Sequence, residues 1–234
     1  MNHTSAAATR AAVTDADRRY VRQLAADSNA RGDATGWFET LYAAAEQGTA
    51  TVPWADFAPC PRLVSALAGL PARGRALVVG CGLGDDAEHV ASLGFTTVAF
   101  DVSPTAIVAA RRRFPRSTVE YVTADLLSPP RAWVGAFDLV VEVFTLQVLA
   151  GAARRTAIAR LARLVAPGGR LLVIARARDE QEDPGELPWP LTRAEIESFH
   201  ELGLAKQSIV DFIDDEGHGP VRRWRAWFAA PRSA

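Results

Sequence analysis

The stretch "ALVVGCGLGDDAEHV", Ala76–Val90, decides how this chain is read. A run of β-formers ends in a glycine-rich turn, and the turn opens into a helix. Such turns commonly cradle phosphates, because free backbone N–H groups make a helix start electropositive. Here Asp85 and Asp86 stand at that start. The glycines Gly80, Gly82 and Gly84 run G-x-G-x-G. A dinucleotide fingerprint, G-x-G-x-x-G, would place its last glycine where Asp85 is, and the P-loop pattern lacks its Lys-Ser/Thr pair. Two carboxylates would occupy the helix start themselves and repel an incoming anion.

The turn therefore suits a ligand without phosphate and with a cationic centre. S-adenosylmethionine, with its sulfonium, α-ammonium and adenosine, is such a ligand. The next strand, "TTVAFD", ends in Asp101, about 20 residues after the first glycine, where a carboxylate accepts from ribose hydroxyls in nucleoside-binding α/β folds. "TAD" puts Asp125 at the end of the third strand, where a polar side chain can face an adenine amino group. "FDLVVEVF" ends the fourth strand and places Glu142 at the topological switch point. There it either faces the site or caps a neighbouring loop.

Outward from these motifs, strands alternate with helices from Arg75 onward, which implies a parallel sheet covered on both faces. Ser103 and Pro104 read as N-cap and first residue of a helix. "AKQSIVDFI" and "VRRWRAWFA", joined by "DDEGHGP", read as a closing hairpin. The fold class expected is α/β, a Rossmann-like doubly wound, mostly parallel sheet with an antiparallel C-terminal hairpin strand and an N-terminal helical lid. The lid segment is residues 1–71 and the core is residues 72–234. In the former, Thr14 is a plausible N-cap, and Trp37, Leu41 and Tyr42 share one face of a second helix. Residues 1 to about 12 read as a disordered start without a signal peptide's apolar region.

Composition agrees with a soluble enzyme-sized domain. The chain has 234 residues, 49% hydrophobic, enough for a substantial core. Its net charge of −1 gives no prior for a nucleic-acid or membrane partner. Cys60 and Cys81 are the two cysteines, too few for a disulfide framework, so a reducing cytoplasm is expected. No Cys/His cluster has metal-ligand spacing, so no metal is expected.

Residues 72–230 resemble a class I S-adenosylmethionine-dependent methyltransferase. The resemblance rests on the order of "VVGCGLGDD", "VAFDVS", "TADLL", "FDLVVEVFTLQVL" and "LVAPGGRLLVIA". It implies that Gly80, Cys81, Gly82 and Gly84 line the methionine part of the cofactor and that Asp101 holds the ribose. Val102 would pack on the adenine, Asp125 and Leu126 would frame its edge, and Glu142 and Val143 would sit near the sulfonium, Glu142 being the candidate catalytic residue. Further upstream, "WFETLY…VPWADFAPCPRLVSAL" is similar to the cofactor-covering segment of the thiol, halide and thiopurine methyltransferase group. Trp37, Pro53, Trp54 and Pro59 match, so Trp37 and Trp54 are expected at the cofactor unless they are ordinary core aromatics. Ala55 stands where that group has an acid, and Phe57 where it has a glycine.

The activity implied is methyl transfer to a small molecule, most readily a thiol, since a thiol is already partly ionised at neutral pH. Arg222 or Arg225 on the final strand could lower its pKa if one of them turns inward. An O- or N-methyltransferase of a small metabolite is the alternative, and a non-catalytic cofactor-binding protein is the reading from another class. "EVFT" lacks the D/N-P-P-Y/F signature of enzymes acting on a flipped amino base. "ARRRFPR", residues 110–116, reads as a solvated helix face. His89 and His200 read as structural or surface residues, and His218 as a hairpin tip.

Overall fold

The computed structural model describes residues 13–71, 73–215 and 219–232. Three helices come first: α1 (Asp15–Ala30), α2 (Gly36–Glu46) and α3 (Pro61–Leu67). Thr14 caps α1 in a reciprocal box with Asp17. Then strands and helices alternate as β1 (Arg75–Val79), α4 (Asp85–Ser92), β2 (Thr96–Asp101), α5 (Pro104–Arg113), β3 (Glu120–Thr123), β4 (Phe137–Val143), α6 (Gly151–Leu164) and β5 (Val165–Arg176). The chain closes with α7 (Arg193–Glu201), β6 (Ala205–Asp215) and β7 (Pro220–Ala229). The Ser103 hydroxyl accepts from Ala106 N–H at the start of α5, with Pro104 in the first helical position.

All seven strands form one sheet, in the order β3-β2-β1-β4-β5-β7-β6. β1 to β5 pair in parallel, and β7 runs antiparallel between β5 and β6. The Rossmann-like sheet with an antiparallel C-terminal hairpin is thus the observed architecture. Leu77, Val79, Val140, Leu171 and Val173 face α6 and α7, while Val78, Leu139, Val141, Leu172 and Ile174 face α3, α4 and α5. Strands covered on both faces need apolar residues at every position, which is why they read as unbroken apolar runs. Each such side chain stabilises the fold by roughly 1.5–3 kcal/mol.

Register sets where the strands end. Val79 lies opposite Phe100 on one side and Glu142 on the other. Gly80, Asp101 and Glu142 therefore leave the sheet at one level, beside the gap between β1 and β4 where the winding direction reverses. β3 is shorter than "VEYVTAD" implied. It is an edge strand pairing only with β2, and pairing stops at Asp101↔Thr123, so Asp125 falls two residues beyond it.

α1 and α2 pack over this edge of the sheet. Val21, Ala25, Trp37, Leu41, Tyr42 and Val52 share a cluster with Ala106 of α5 and Leu187 of the β5–α7 connection. α3 instead joins the main core through Leu63 and Leu67. Among the described residues no helix is long and apolar enough to cross a membrane.

Candidate active site

Gly80 is exposed although its neighbours Val79 and Cys81 are buried, so a cleft reaches the carboxyl end of the central strand. Its φ is +59°, and a Cβ there would collide with Thr145 Oγ1. At Gly82, with φ +51°, a Cβ would lie 2.9 Å from Tyr42 Oη. Both positions demand glycine on two counts, left-handed backbone and lack of space. Gly82 N–H donates to Asp101 Oδ2 and Ser103 N–H to Oδ1, both at 2.9 Å. Asp101 is 6% exposed, and burial raises its pKa to about 6 against the pull of these donors. The carboxylate that ends β2 thus fixes the turn that follows β1.

The acids of that turn are directed at the protein. Asp85 forms a two-pronged ion pair with Arg113, at 2.6 and 2.7 Å. Asp86 Oδ1 accepts from Cys60 N–H at 2.7 Å, at the start of α3, and burial pushes its pKa to about 6. Glu88 accepts from Tyr121 Oη at 2.6 Å. The first turn of α4 is lashed to α5, α3 and β3, and its acids deny the helix start to a phosphate. Their charge is answered internally, so the attraction for a cationic ligand inferred from the sequence loses much of its basis. The "ARRRFPR" face is solvated as expected, with Arg111, Arg112 and Arg116 exposed; within it Arg111 donates to Tyr121 O, Arg112 pairs with Glu46 and the half-buried Arg113 with Asp85.

The N-terminal helices approach this turn through aromatics. Trp54 Nε1 donates to Tyr42 Oη at 3.0 Å, and Trp54 packs edge-on to Trp37, Phe38 and Tyr42. Trp37 is buried, its Nε1 without a partner among the described residues, whereas Trp54 is 38% exposed. Glu39 holds α2 to the start of α5. Its Oε2 accepts from Ser103 Oγ at 2.5 Å and Thr105 N–H at 3.2 Å, and its Oε1 from Thr105 Oγ1 at 2.6 Å. Phe57 adopts φ +54°, the left-handed backbone for which a glycine would be natural, and its ring lies under the Arg113 guanidinium at 5.0 Å.

Glu142 is fully buried. Its Oε1 accepts from Thr145 N–H at 2.7 Å and Leu146 N–H at 2.9 Å, the loop-capping arrangement. Its Oε2 is buried and has no partner among the described residues. Burial raises its pKa from 4.5 to about 7. A pKa higher in the folded chain than in the unfolded one means that this group favours the fold below about 4.5, and that its contribution is lost as pH rises through about 7. Asp101 and Asp86 act in the same direction, through about 6. The ligand-free protein should therefore lose stability between pH 5 and 8. Glu142→Gln, which keeps the shape without the charge, should gain on the wild type over that range by on the order of 2 kcal/mol. Urea unfolding of both proteins at pH 5, 6, 7 and 8 measures this, and parallel stability profiles would contradict it.

The remaining expected residues are dispersed around the cleft. Val102 and Val143 are half-buried beside Asp101 and Glu142. Asp125 Oδ1 accepts from Leu127 N–H, forming its own small turn, and Leu126 points into the core on the α6 side. Cys81 is buried, and burial together with Asp101 pushes its thiol pKa well up. His200 Nδ1 lies 3.1 Å from Leu204 O, and His89 sits mid-helix on α4. His218 lies outside the described residues, as do residues 1–12. Among the described residues no group of three or more His, Cys, Asp or Glu is arranged to hold a metal. Arg222 pairs with Asp211 and Asp179, and Arg225 lies over Phe212, so neither enters the cleft.

Two arginines were not anticipated. Arg154, on α6 and 5% exposed, donates to Leu149 O, Trp189 O and Glu195 Oε1. Arg223 of β7 is buried, pairs with Asp214 and lies 4.5 Å over the Phe144 ring. Nothing in the sequence marks either arginine, since a charge on a helix or strand is usually solvated.

Comparison with known proteins places these features in context. Residues 76–169 match a family model described as a methyltransferase domain. The chain is 29% identical over 180 residues to "Probable thiol methyltransferase 2" of Arabidopsis thaliana, covering 75% of this chain and 76% of that protein. It is 30% identical over 122 residues to N-methyltransferase verN of Clonostachys rogersoniana, covering 51% of this chain and 42% of that protein, so it spans less than half of that relative. Among solved structures it is similar to N-methyltransferase NodS of Bradyrhizobium japonicum in complex with S-adenosyl-L-homocysteine. The TM-score is 0.65 and the identity 24%, covering 83% of this chain and all of that one.

Proposed function

We propose, from the premise that the chain is a class I S-adenosylmethionine-dependent methyltransferase acting on small molecules, that the atom it methylates is a thiol sulfur. The observation that carries this reading is the aromatic lid: Trp54 and Tyr42 close on Gly82 in the segment that resembles the thiol, halide and thiopurine group. The residues of the cleft fit the cofactor. Gly80 offers open backbone, Asp101 keeps a lone pair on each oxygen beyond its N–H donors, and Trp37 Nε1 and Glu142 Oε2 are a buried donor and acceptor without partners among the described residues. On this reading Gly80, Cys81, Gly82 and Gly84 hold the methionine part, Asp101 the ribose, and Val102, Asp125 and Leu126 the adenine. Glu142 and Val143 border the reacting end, and Trp37 and Trp54 cover it.

S-adenosylmethionine, when bound, supplies a methyl group activated by a sulfonium. What the chain must supply is alignment and exclusion of water, because the reaction neutralises charge rather than creating it. The lid and the β5–α7 connection do this jointly: Leu187 packs in the α1–α2 cluster, and Arg22 pairs with Glu186 at 2.6 Å. A thiolate needs no base, in keeping with a cleft into which no histidine projects among the described residues. One observation favours the alternative of O- or N-methylation. The Glu142 carboxyl, raised to about 7, is matched in strength to a general base. Its complete burial and its bonds to Thr145 and Leu146 weigh against that use.

The test is turnover across a panel of aryl and alkyl thiols, phenols and amines. Thiols should turn over best. If phenols or amines react well while every thiol is inert, the alternative replaces this reading.

A further inference from the structure

At the carboxyl end of β5 the chain places a cation for which the described residues offer no counter-ion. Arg176 is the last residue of β5, paired in register with Arg223. Its side chain lies on the sheet face that carries Leu172 and Ile174, two residues beyond Ile174, whose carbonyl accepts from Phe144 N–H. The backbone of Arg176 is held, its N–H donating to Gln147 Oε1 at 2.7 Å. The guanidinium is not. Its Nε is sealed from solvent without a hydrogen-bond partner, and among the described residues no carboxylate comes within ion-pair distance. Arg18 of the lid helix α1 lies close enough to disfavour its charge further, and Arg176 in turn disfavours that of Arg223. Across the same face, Asp214 is the shared partner of Arg62 and Arg223.

The position is informative. Val143 and Arg176 belong to adjacent strands offset by two residues, so their backbones lie about 8 Å apart by strand geometry. That is the span of a small molecule reaching from the methyl-transfer point to the guanidinium. A half-buried guanidinium without a counter-ion is costly, and a planar carboxylate fits its fork with two parallel hydrogen bonds.

We propose that Arg176 recognises the methyl acceptor, pairing with a carboxylate that the acceptor carries a few bonds from the atom it presents for methylation. This rests on the methyltransferase reading above. The acceptor's carboxylate supplies the counter-charge that Arg176 lacks among the described residues.

The experiment is calorimetry on the full chain saturated with S-adenosylhomocysteine, titrated with benzoate and with its neutral isostere benzamide. Wild type, Arg176→Met and Arg176→Lys are compared. Benzoate should bind the wild type at least tenfold more tightly than benzamide. Arg176→Met should remove that preference, Arg176→Lys should restore part of it, and benzamide should not distinguish the three. Without ligand, Arg176→Met should melt no lower than the wild type, since it removes an unpaired cation. Equal binding of benzoate and benzamide to the wild type, or an undiminished preference in Arg176→Met, overturns the proposal. Because the readout is binding, it separates from the panel above. Inert thiols with an intact benzoate preference would remove the thiol reading and leave this site. Thiols that turn over irrespective of charge, with benzoate ignored, would remove this site and leave the thiol reading.

Discussion

Asp101→Ala is expected to weaken binding of S-adenosylhomocysteine by roughly ten- to a hundredfold. A hydrogen bond to a charged group is worth about 1.5–3 kcal/mol, and each 1.4 kcal/mol is a factor of ten in affinity. On the proposed role, the substitution removes the acceptor for the ribose hydroxyls. It also strands two donors, because Gly82 N–H and Ser103 N–H both end on this carboxylate. The turn between β1 and α4 then loses a contact that fixes it to β2, leaving the Cys81 N–H bond to Phe100 O. Asp101→Asn separates the two effects. It retains one oxygen for one of the two N–H groups and turns an amide toward the other, so its affinity and melting temperature should fall between those of wild type and Ala. Calorimetry and thermal melts on the three proteins measure this. A lowered melting temperature with an unchanged dissociation constant would make Asp101 a structural clamp with no part in cofactor binding.

The largest loss of stability is expected from Arg154→Met. Its guanidinium is buried and joins three segments: Leu149 O before α6, Trp189 O in the β5–α7 connection, and Glu195 Oε1 on α7. Removing one partner of a buried pair costs roughly 3–5 kcal/mol, because the other partner is left without its counter-charge. Methionine fills much of the volume, so the loss reports the polar contacts rather than a cavity. Glu195 is less deeply buried, its side chain 30% exposed against 6% for Arg154, and it regains water when released. The two carbonyls therefore carry much of the effect. Urea unfolding should show the midpoint falling steeply, and Glu195→Gln alone should cost much less. A loss under 1 kcal/mol for Arg154→Met would mean that water replaces the guanidinium freely.

The glycine turn, the alternation of strands and helices and the carboxylates of β2 and β4 were legible because each is a local pattern with one physical solution. "ALVVG" followed by G-x-G-x-G can only be a buried strand leaving through a left-handed turn. "DVSPT" announces a capped helix, and the structure has Ser103 and Pro104 in those places. Asp101 and Glu142 were placed correctly at strand ends, since register in a parallel sheet follows from apolar runs of similar length. What those carboxylates touch was not legible. Glu142 was left between a site role and a loop cap, and its two oxygens divide between a satisfied cap and a buried, unpartnered acceptor.

The sequence by itself determined the α/β alternation, the glycine turn at the end of β1, the carboxylates of β2 and β4 and the aromatic face of α2. Each depends on residues within about one strand or helix of one another, where spacing and steric preference suffice. Tertiary structure alone decided where charges separated by long stretches of chain meet. Asp85 and Asp86 looked like bait for a cationic ligand until Arg113 and the Cys60 N–H were found against them, 28 and 26 residues away. The "ARRRFPR" run is solvated as it reads, yet only the fold shows that Arg113 turns to Asp85 and Arg112 to Glu46, 28 and 66 residues away. Arg176 carried no signal beyond ending an apolar strand, and only the fold buries its Nε without a partner among the described residues. A charge interacts with whatever the fold brings near it, and its desolvation depends on all the elements packed around it, so neither quantity has a period that a sequence can display.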